Sequence, residues 1–400
     1  MPYIQLAALL AALATVGPFS IDTYLPALHA IGEELNATPL GVQQTLTAYM
    51  LPMGAMVLWH GAFSDAWGRK PVIVVSMLLF ALASLVCVFA GSIETLLVGR
   101  ALQGISAGAG MVVGRAVVRD IMEGPRAQRL MSHVSMAFAL GPAIAPILGG
   151  WIHTAFGWRA VFVFLALLGL ALAALSAWRL AESHPVEARH PLHLRPLARR
   201  YRAVFASPGF LLLSIAVSLN FNGFFIYVLS APVFLMRHLG LGETEFGWMF
   251  IPGVIGMMAG SGLSARLAGR LSQARTIRLG FALMLGAAGL NLAVSYLLPA
   301  GLPQSVLPIM AYNFGMAIAM PSLTLLALDH FPTHRGLASS CQSFVQMVIS
   351  SVTAGIVAPA LWGSVGSLAF GMTAMLLLGL TCFTAWWWFF HRRRHEAGPA

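Results

Sequence analysis

The chain has 400 residues, of which 58% are apolar and 9% charged, with a formal net charge of +10. Soluble proteins of ordinary composition carry about 25% charged residues, so a soluble globular fold is excluded. Cys87, Cys341 and Cys382 all lie in apolar stretches and form no CxxC or metal-ligand spacing, so they read as core filler, and no metal or cofactor is expected. At roughly 20 apolar residues per crossing, twelve spans are expected, near 4–28, 42–62, 71–90, 94–117, 130–152, 160–181, 209–235, 245–265, 277–298, 304–327, 337–361 and 367–390. The first lacks a basic leader and runs on past Ala12-Leu13-Ala14, so it reads as a span and not as a cleavable signal.

Connections are short except for 182–208, which is polar, Pro-containing and Arg-rich. The expected organisation is a six-helix half over 1–181, a cytoplasmic linker over 182–208, a second six-helix half over 209–390 and a basic cytoplasmic tail over 391–400. Counting from an inside N-terminus, nineteen of the Lys and Arg residues fall in inward segments, and only Arg159 and Arg237 in outward ones. This bias sets both termini in the cytoplasm. The positive charge is thereby topology, and no nucleic-acid partner is expected.

Span 1 contains Asp22, the only acid well inside the first six spans, in Ser20-Ile21-Asp22-Thr23-Tyr24-Leu25-Pro26. Arg100 of span 4 lies at a similar distance from the outer end. An acid balanced between burial and a nearby arginine can bind a proton in one state and release it in another. Asp22 and Arg100 are therefore the candidate proton-coupling residues. A fixed Asp22–Arg100 pair, or a hydrated acid at the outer mouth, is the alternative.

Between spans 2 and 3 stands Gly61-x-x-x-Asp65-x-x-Gly68-Arg69-Lys70, and 201 residues later Gly262-x-x-x-Arg266-x-x-Gly269-Arg270. Matching turns at matching depths make the second half a repeat of the first, which is the mark of a secondary transporter. Glycines permit a tight reversal, and Arg69 needs an anionic partner, for which Asp120 at the end of span 4 is the best candidate. Such a cluster could hold one conformation closed and break in another. Gly61, Asp65, Gly68, Arg69, Lys70 and Asp120 are the candidate gating residues, an ordinary positive-inside turn being the alternative.

Span 4 carries Arg100-x-x-Gln103-Gly104 and the pairs Gly104/Gly108 and Gly110/Gly114. An arginine within a bilayer costs roughly 3 kcal/mol or more and faces a partner or a wet cavity, unless it snorkels. The glycine pairs permit close helix packing. Span 5 carries Gly141-Pro142-Ala143-Ile144-Ala145-Pro146, whose prolines bend the helix. Gly141, Pro142 and Pro146 join the gating candidates. In span 7, Asn220, Phe224 and Tyr227 share a helical face, with Asn222 pointing elsewhere. With Tyr24, Tyr49, Gln103, Asn313, Gln342 and Gln346 they form the candidate substrate-binding set. The histidines offer no metal spacing and no nucleophile–His–acid set, so an enzyme is not expected.

The first turn resembles the signature between helices 2 and 3 of the major facilitator superfamily, departing from it at Ala66, with Arg266 in place of the acid in the second copy. The span-4 run resembles the motif of proton-coupled members, and the span-5 run that of antiporters. Ser20 to Leu28, Asn220 to Pro232, and Asp329-His330-Phe331-Pro332 with Gly336 and Ser339-Ser340 resemble the bicyclomycin/chloramphenicol resistance (Bcr/CflA) branch of drug:proton antiporters. The resemblance spans residues 15–390. It implies an all-α membrane protein of twelve transmembrane helices in two pseudo-symmetric halves, the major facilitator fold. It further implies drug:proton antiport across the bacterial inner membrane by alternating access, with small-molecule drugs, protons and the lipid bilayer as partners and a functional monomer. Proton-coupled export of an amino acid or other small metabolite is the alternative on the same scaffold.

Overall fold

The structure is a computed structural model that describes residues 3–189, 192 and 194–391. Residues 392–400 of the expected tail, and His190, Pro191 and His193 of the expected linker, lie outside the described residues. Among the described residues the chain is helical, with no strand beyond one isolated bridge between Ala268 and Leu271.

Among the described residues twelve long helices follow one another, as the sequence pattern anticipates. They are α1 (Tyr3–Glu34), α2 (Pro39–Trp67), α3 (Arg69–Val88), α4 (Ile93–Ile121), α5 (Gly124–Phe156) and α6 (Trp158–Arg179), then α7 (Pro208–Leu229), α8 (Gly247–Leu267), α9 (Gln273–Leu297), α10 (Leu307–Leu328), α11 (Arg335–Ala360) and α12 (Val365–Phe390). Eleven of them are long and apolar enough to cross a membrane by length and composition. The remaining one, α2, has 29 residues, ample for a crossing. Its apolar character is diluted by Gln43, Gln44, Thr45, Thr47, Tyr49 and His60.

Local chemistry sets the ends. Thr38, Ser92, Ser207, Ser272 and Ser364 each accept a hydrogen bond from a backbone N–H in the first turn of the helix that follows, which satisfies a donor the helix leaves unpaired. Gly68, at φ +100°, and Gly157, at φ +82°, turn the chain between consecutive helices in a single residue, a conformation that a side chain resists. Span 1 is interrupted near its end. Regular α-helix stops at Asp22, a 3₁₀ turn covers Leu25–Ala27, and α-helix resumes over Leu28–Glu34. Pro26 supplies the reason, since it has no N–H to continue the ladder. Span 5, by contrast, runs as one helix through Pro142 and Pro146.

Two compact units are present, Met1–His193 with Gly242–Gly247, and Leu194–Leu241 with Trp248–Ala400. Within the first unit α3 packs on α4 and α6, and α1 packs on α4 and α5. The second unit makes the corresponding pairings, α9 with α10 and α12, and α7 with α10 and α11. The internal repeat is thus a repeat of packing as well as of sequence. Close approach depends on glycine at several crossings. A Cβ at Gly104 would strike the carbonyl of Tyr49 on α2, and one at Gly110 the carbonyl of Leu13 on α1. Helix backbones in contact gain dispersion energy where lipid offers no hydrophobic drive.

Candidate functional site

Two polar clusters in the first unit gather the candidate coupling and gating residues. One lies inside the bundle and is built around Arg100, which is fully buried. The guanidinium carbon sits 4.2 Å from the ring centre of Tyr49 and 4.8 Å from that of Tyr24, so tyrosine rings from α2 and α1 flank it. Its Nη1 donates to Gln103 Oε1 at 2.8 Å and to Ser20 at 3.2 Å (Oγ) and 3.3 Å (carbonyl). Gln103 in turn donates to Ser84 Oγ at 2.7 Å. Tyr24 pairs with Thr45 at 2.8 Å, and Tyr49 donates to the Gly17 carbonyl at 2.8 Å.

Cation–π contact compensates part of the cost of burying the charge, and the hydrogen bonds hold the rings and the guanidinium in one geometry. The Nε and Nη2 of Arg100 have no hydrogen-bond partner among the described residues. These two groups form one edge of the guanidinium fork, the arrangement that grips a carboxylate with two parallel bonds. Asp22, two residues beyond Ser20, is 4% exposed. No ion pair or hydrogen bond joins it to Arg100 among the described residues. The fixed Asp22–Arg100 pair is therefore not present in this arrangement. Tyr24, Tyr49 and Gln103, expected among substrate contacts, are fully buried here against or beside Arg100.

The second cluster lies at the turn between α2 and α3. Arg69, 7% exposed, reaches Asp120 of α4 through Nε at 2.9 Å, and through Nη1 it meets Asp65 and, at 2.7 Å, Ser64 Oγ. Glu182, just beyond α6, accepts from the backbone N–H of Arg69 at 3.0 Å and of Lys70 at 3.3 Å. Gly68 has no side chain with which to cap α3, so a carboxylate 113 residues away serves instead, where helix-end N–H groups favour an anion. Ser183 donates to Asp120 at 2.9 Å, and Arg189 stands 3.7 Å from Glu182. Gly61 lies beside Val112 of α4, while Gly141 faces Thr15 of α1 at ordinary contact distance.

In the second unit the span-7 candidates part company. The amide of Asn220 lies against Gly379 of α12 with both polar atoms unpartnered among the described residues. Phe224 packs toward Gly253 of α8. Tyr227 accepts from Asn291 of α9 at 2.7 Å. One broad helical face thus meets three different neighbours. Asn313 donates to the Gly253 carbonyl at 3.2 Å, Asn222 to Ser350 of α11 at 3.1 Å, Gln342 is buried and Gln346 half-buried.

The profile of the Major Facilitator Superfamily matches residues 9–354 and 219–400. The chain belongs to this superfamily. It is a multi-pass membrane transporter and not an enzyme. Within the superfamily it is similar to a bicyclomycin resistance protein homolog of Haemophilus influenzae, 28% identical over 371 residues that cover 93% of each chain. It is similar also to multidrug resistance protein D of Escherichia coli, 28% identical over 403 residues, 99% of this chain and 98% of the other. Among solved structures, the D-xylose–proton symporter shares the fold at a TM-score of 0.73 and 15% identity, covering 96% of this chain and 97% of that one.

Of the residues in this transporter's two clusters, sequence reasoning missed Ser20, Thr45, Ser64, Ser84, Glu182, Ser183 and Arg189. Glu182 had a signal. A helix beginning with Gly-Arg-Lys lacks a capping side chain of its own, and Glu182 is the first acid after span 6. The hydroxyl groups had none, because Ser and Thr bond their own helix carbonyls in most apolar spans.

Proposed function

We propose that this transporter is a proton-coupled multidrug exporter of the bacterial inner membrane, with Asp22 as the proton carrier and Arg100 as the cation that pairs with the Asp22 carboxylate once the proton has left. The observation that carries the reading is the Nε–Nη2 edge of Arg100, unpartnered among the described residues and caged by Tyr24, Tyr49, Ser20 and Gln103, together with Asp22, two residues from Ser20, buried and in no ion pair among the described residues. An ionised carboxylate buried without a partner costs several kcal/mol. In the proposed cycle Asp22 holds its proton in this arrangement. When the proton leaves, the carboxylate is taken up by the waiting edge of Arg100, and the bonds between α1 and α4 are remade. The repeat of packing in the two units supports alternating access, in which one six-helix half moves against the other. The similarity to proteins named for bicyclomycin and multidrug resistance supports drugs as cargo, and the positive-inside charge pattern supports cytoplasmic termini.

The driving force suffices. One proton moving through roughly 150 mV releases about 3.5 kcal/mol, enough for a gradient of a few hundred-fold. The test is drug-triggered proton movement in proteoliposomes under an imposed pH gradient, comparing the natural protein with Asp22→Asn. Drug-triggered flux that vanishes in Asp22→Asn is expected. Flux that survives the substitution removes Asp22 from the coupling step. Flux evoked by amino acids and by no drug replaces the drug exporter with a metabolite exporter.

A further inference from the structure

A groove of about 430 Å³ lies between α9 and α12 of the second unit, at the end where α9 begins and α12 finishes. Phe281 and Leu285 of α9 and Phe383, Trp387 and Trp388 of α12 line it, with Arg278 the only charged residue in its wall among the described residues. Phe281 and Phe383 stack at 5.5 Å to make an aromatic wall. Trp388 and Leu285 are exposed, 64% and 38%, on a surface that a membrane transporter turns to its bilayer. Arg278 donates through Nε to the Ala274 carbonyl of its own helix at 3.3 Å and makes no ion pair among the described residues. Its neighbour one turn earlier on the same face of α9, Arg275, is also exposed and makes no ion pair among the described residues. No Asp or Glu lines the groove among the described residues.

An apolar, aromatic trough with a cation at its mouth has the polarity of a phospholipid, acyl chain in the trough and phosphate at the basic rim. We propose that the α9–α12 groove is a binding site for an anionic glycerophospholipid of the membrane leaflet at the basic end of this unit. Basic pockets between transmembrane helices recognise such headgroups, and each arginine near the membrane surface contributes about 1 kcal/mol toward an anionic one. Tryptophan at this depth holds the interface between chain and headgroup. Among the described residues a free phosphate would find one arginine lining the groove, whereas the apolar walls match an acyl chain, so the groove as a whole fits a lipid. The proposal rests on the protein being embedded in a bilayer and not on its cargo.

The experiment uses delipidated full-length protein in detergent, titrated with phosphatidylglycerol or phosphatidylcholine bearing identical brominated acyl chains and read by quenching of tryptophan fluorescence. Phosphatidylglycerol is expected to bind about fivefold more tightly, one arginine's worth. Arg278→Gln abolishes that preference, Arg278→Lys keeps most of it and shows that the fold is intact, and Trp388→Ala weakens both lipids alike. A preference unchanged in Arg278→Gln overturns the proposal. So does a preference lost only when the residues after Phe390 are removed, which would assign it to the basic tail. Displacement by glycerol 3-phosphate at equal concentration would make the site one for a soluble phosphate and would overturn it as well.

Discussion

The turn at Gly61–Lys70 and its copy at Gly262–Arg270 share a glycine of positive φ, but the first joins its helices through Gly68 alone and the second through residues 268–272, and the two differ in their electrostatics. Gly68 and Gly269 occupy the same place in the repeat, and both have positive φ, +100° and +78°. Beyond that the two regions diverge. Arg69 is buried among Ser64, Asp65 and Asp120, with Glu182 on the adjoining N–H groups. Arg266 and Arg270 are exposed, and neither makes an ion pair among the described residues. The duplicated feature is a chain reversal that glycine makes possible. The charge cluster is an addition to one half alone, and it needs residues far outside the motif, at 120, 182 and 183. A motif with the same spacing in both halves therefore marks a common turn, and its function has to be read from the partners each copy gathers.

The largest expected effect that would break this comparison is at Arg69. Arg69→Ala leaves Asp65 and Asp120 facing each other without their cation and is expected to destabilise the protein by about 3 kcal/mol, the usual consequence of breaking a buried pair. Arg270→Ala should stay within about 0.5 kcal/mol. Unfolding of both variants in detergent measures the difference, and equal losses would erase the distinction between the turns.

Glycine comes next. Gly68→Ala forces a side chain into a backbone region that suits only glycine and pushes a methyl group against Glu182 and Arg189, for a loss of about 2 kcal/mol. Gly269→Ala meets open space and should lose about 1 kcal/mol from its backbone alone. Thermal unfolding that ranks Gly269→Ala the worse would sink the idea that the first turn is the more tightly surrounded.

Glu182→Gln sharpens the cap. An uncharged amide still accepts one bond but loses the attraction to the α3 N-terminus, and about 1 kcal/mol of stability should go with it. Hydrogen exchange at the Arg69 and Lys70 amides should rise in the variant. Unchanged exchange there would mean that Glu182 caps nothing.

The smallest effect is a transplant. Arg266→Asp rebuilds the Asp65–Arg69 spacing in the second copy, giving an exposed i, i+4 pair with Arg270. Exposed pairs contribute about 0.3–0.5 kcal/mol, and no counterpart of Asp120 stands ready, since the matching position is Pro321. A gain above about 1 kcal/mol in the same unfolding assay would show that the motif acids suffice without their distant partners.

The sequence alone determined the number and order of the spanning helices, because the apolar thickness of a bilayer imposes a length that can be counted along the chain. Serine and threonine caps and turn glycines marked many of the ends, through interactions that reach only three or four residues. Asp22 and Arg100 were visible as ionisable groups in apolar surroundings, where their cost singles them out. Tertiary structure decided what those groups touch. It set Tyr24 and Tyr49 on either side of Arg100, kept Asp22 out of ion-pair reach, and brought Glu182 back to cap α3. It also sent Asn220, Phe224 and Tyr227 to three separate helices. Contacts of this kind join residues tens to more than a hundred positions apart. Helical periodicity states which face a side chain occupies, and only the packing of whole helices states what that face meets.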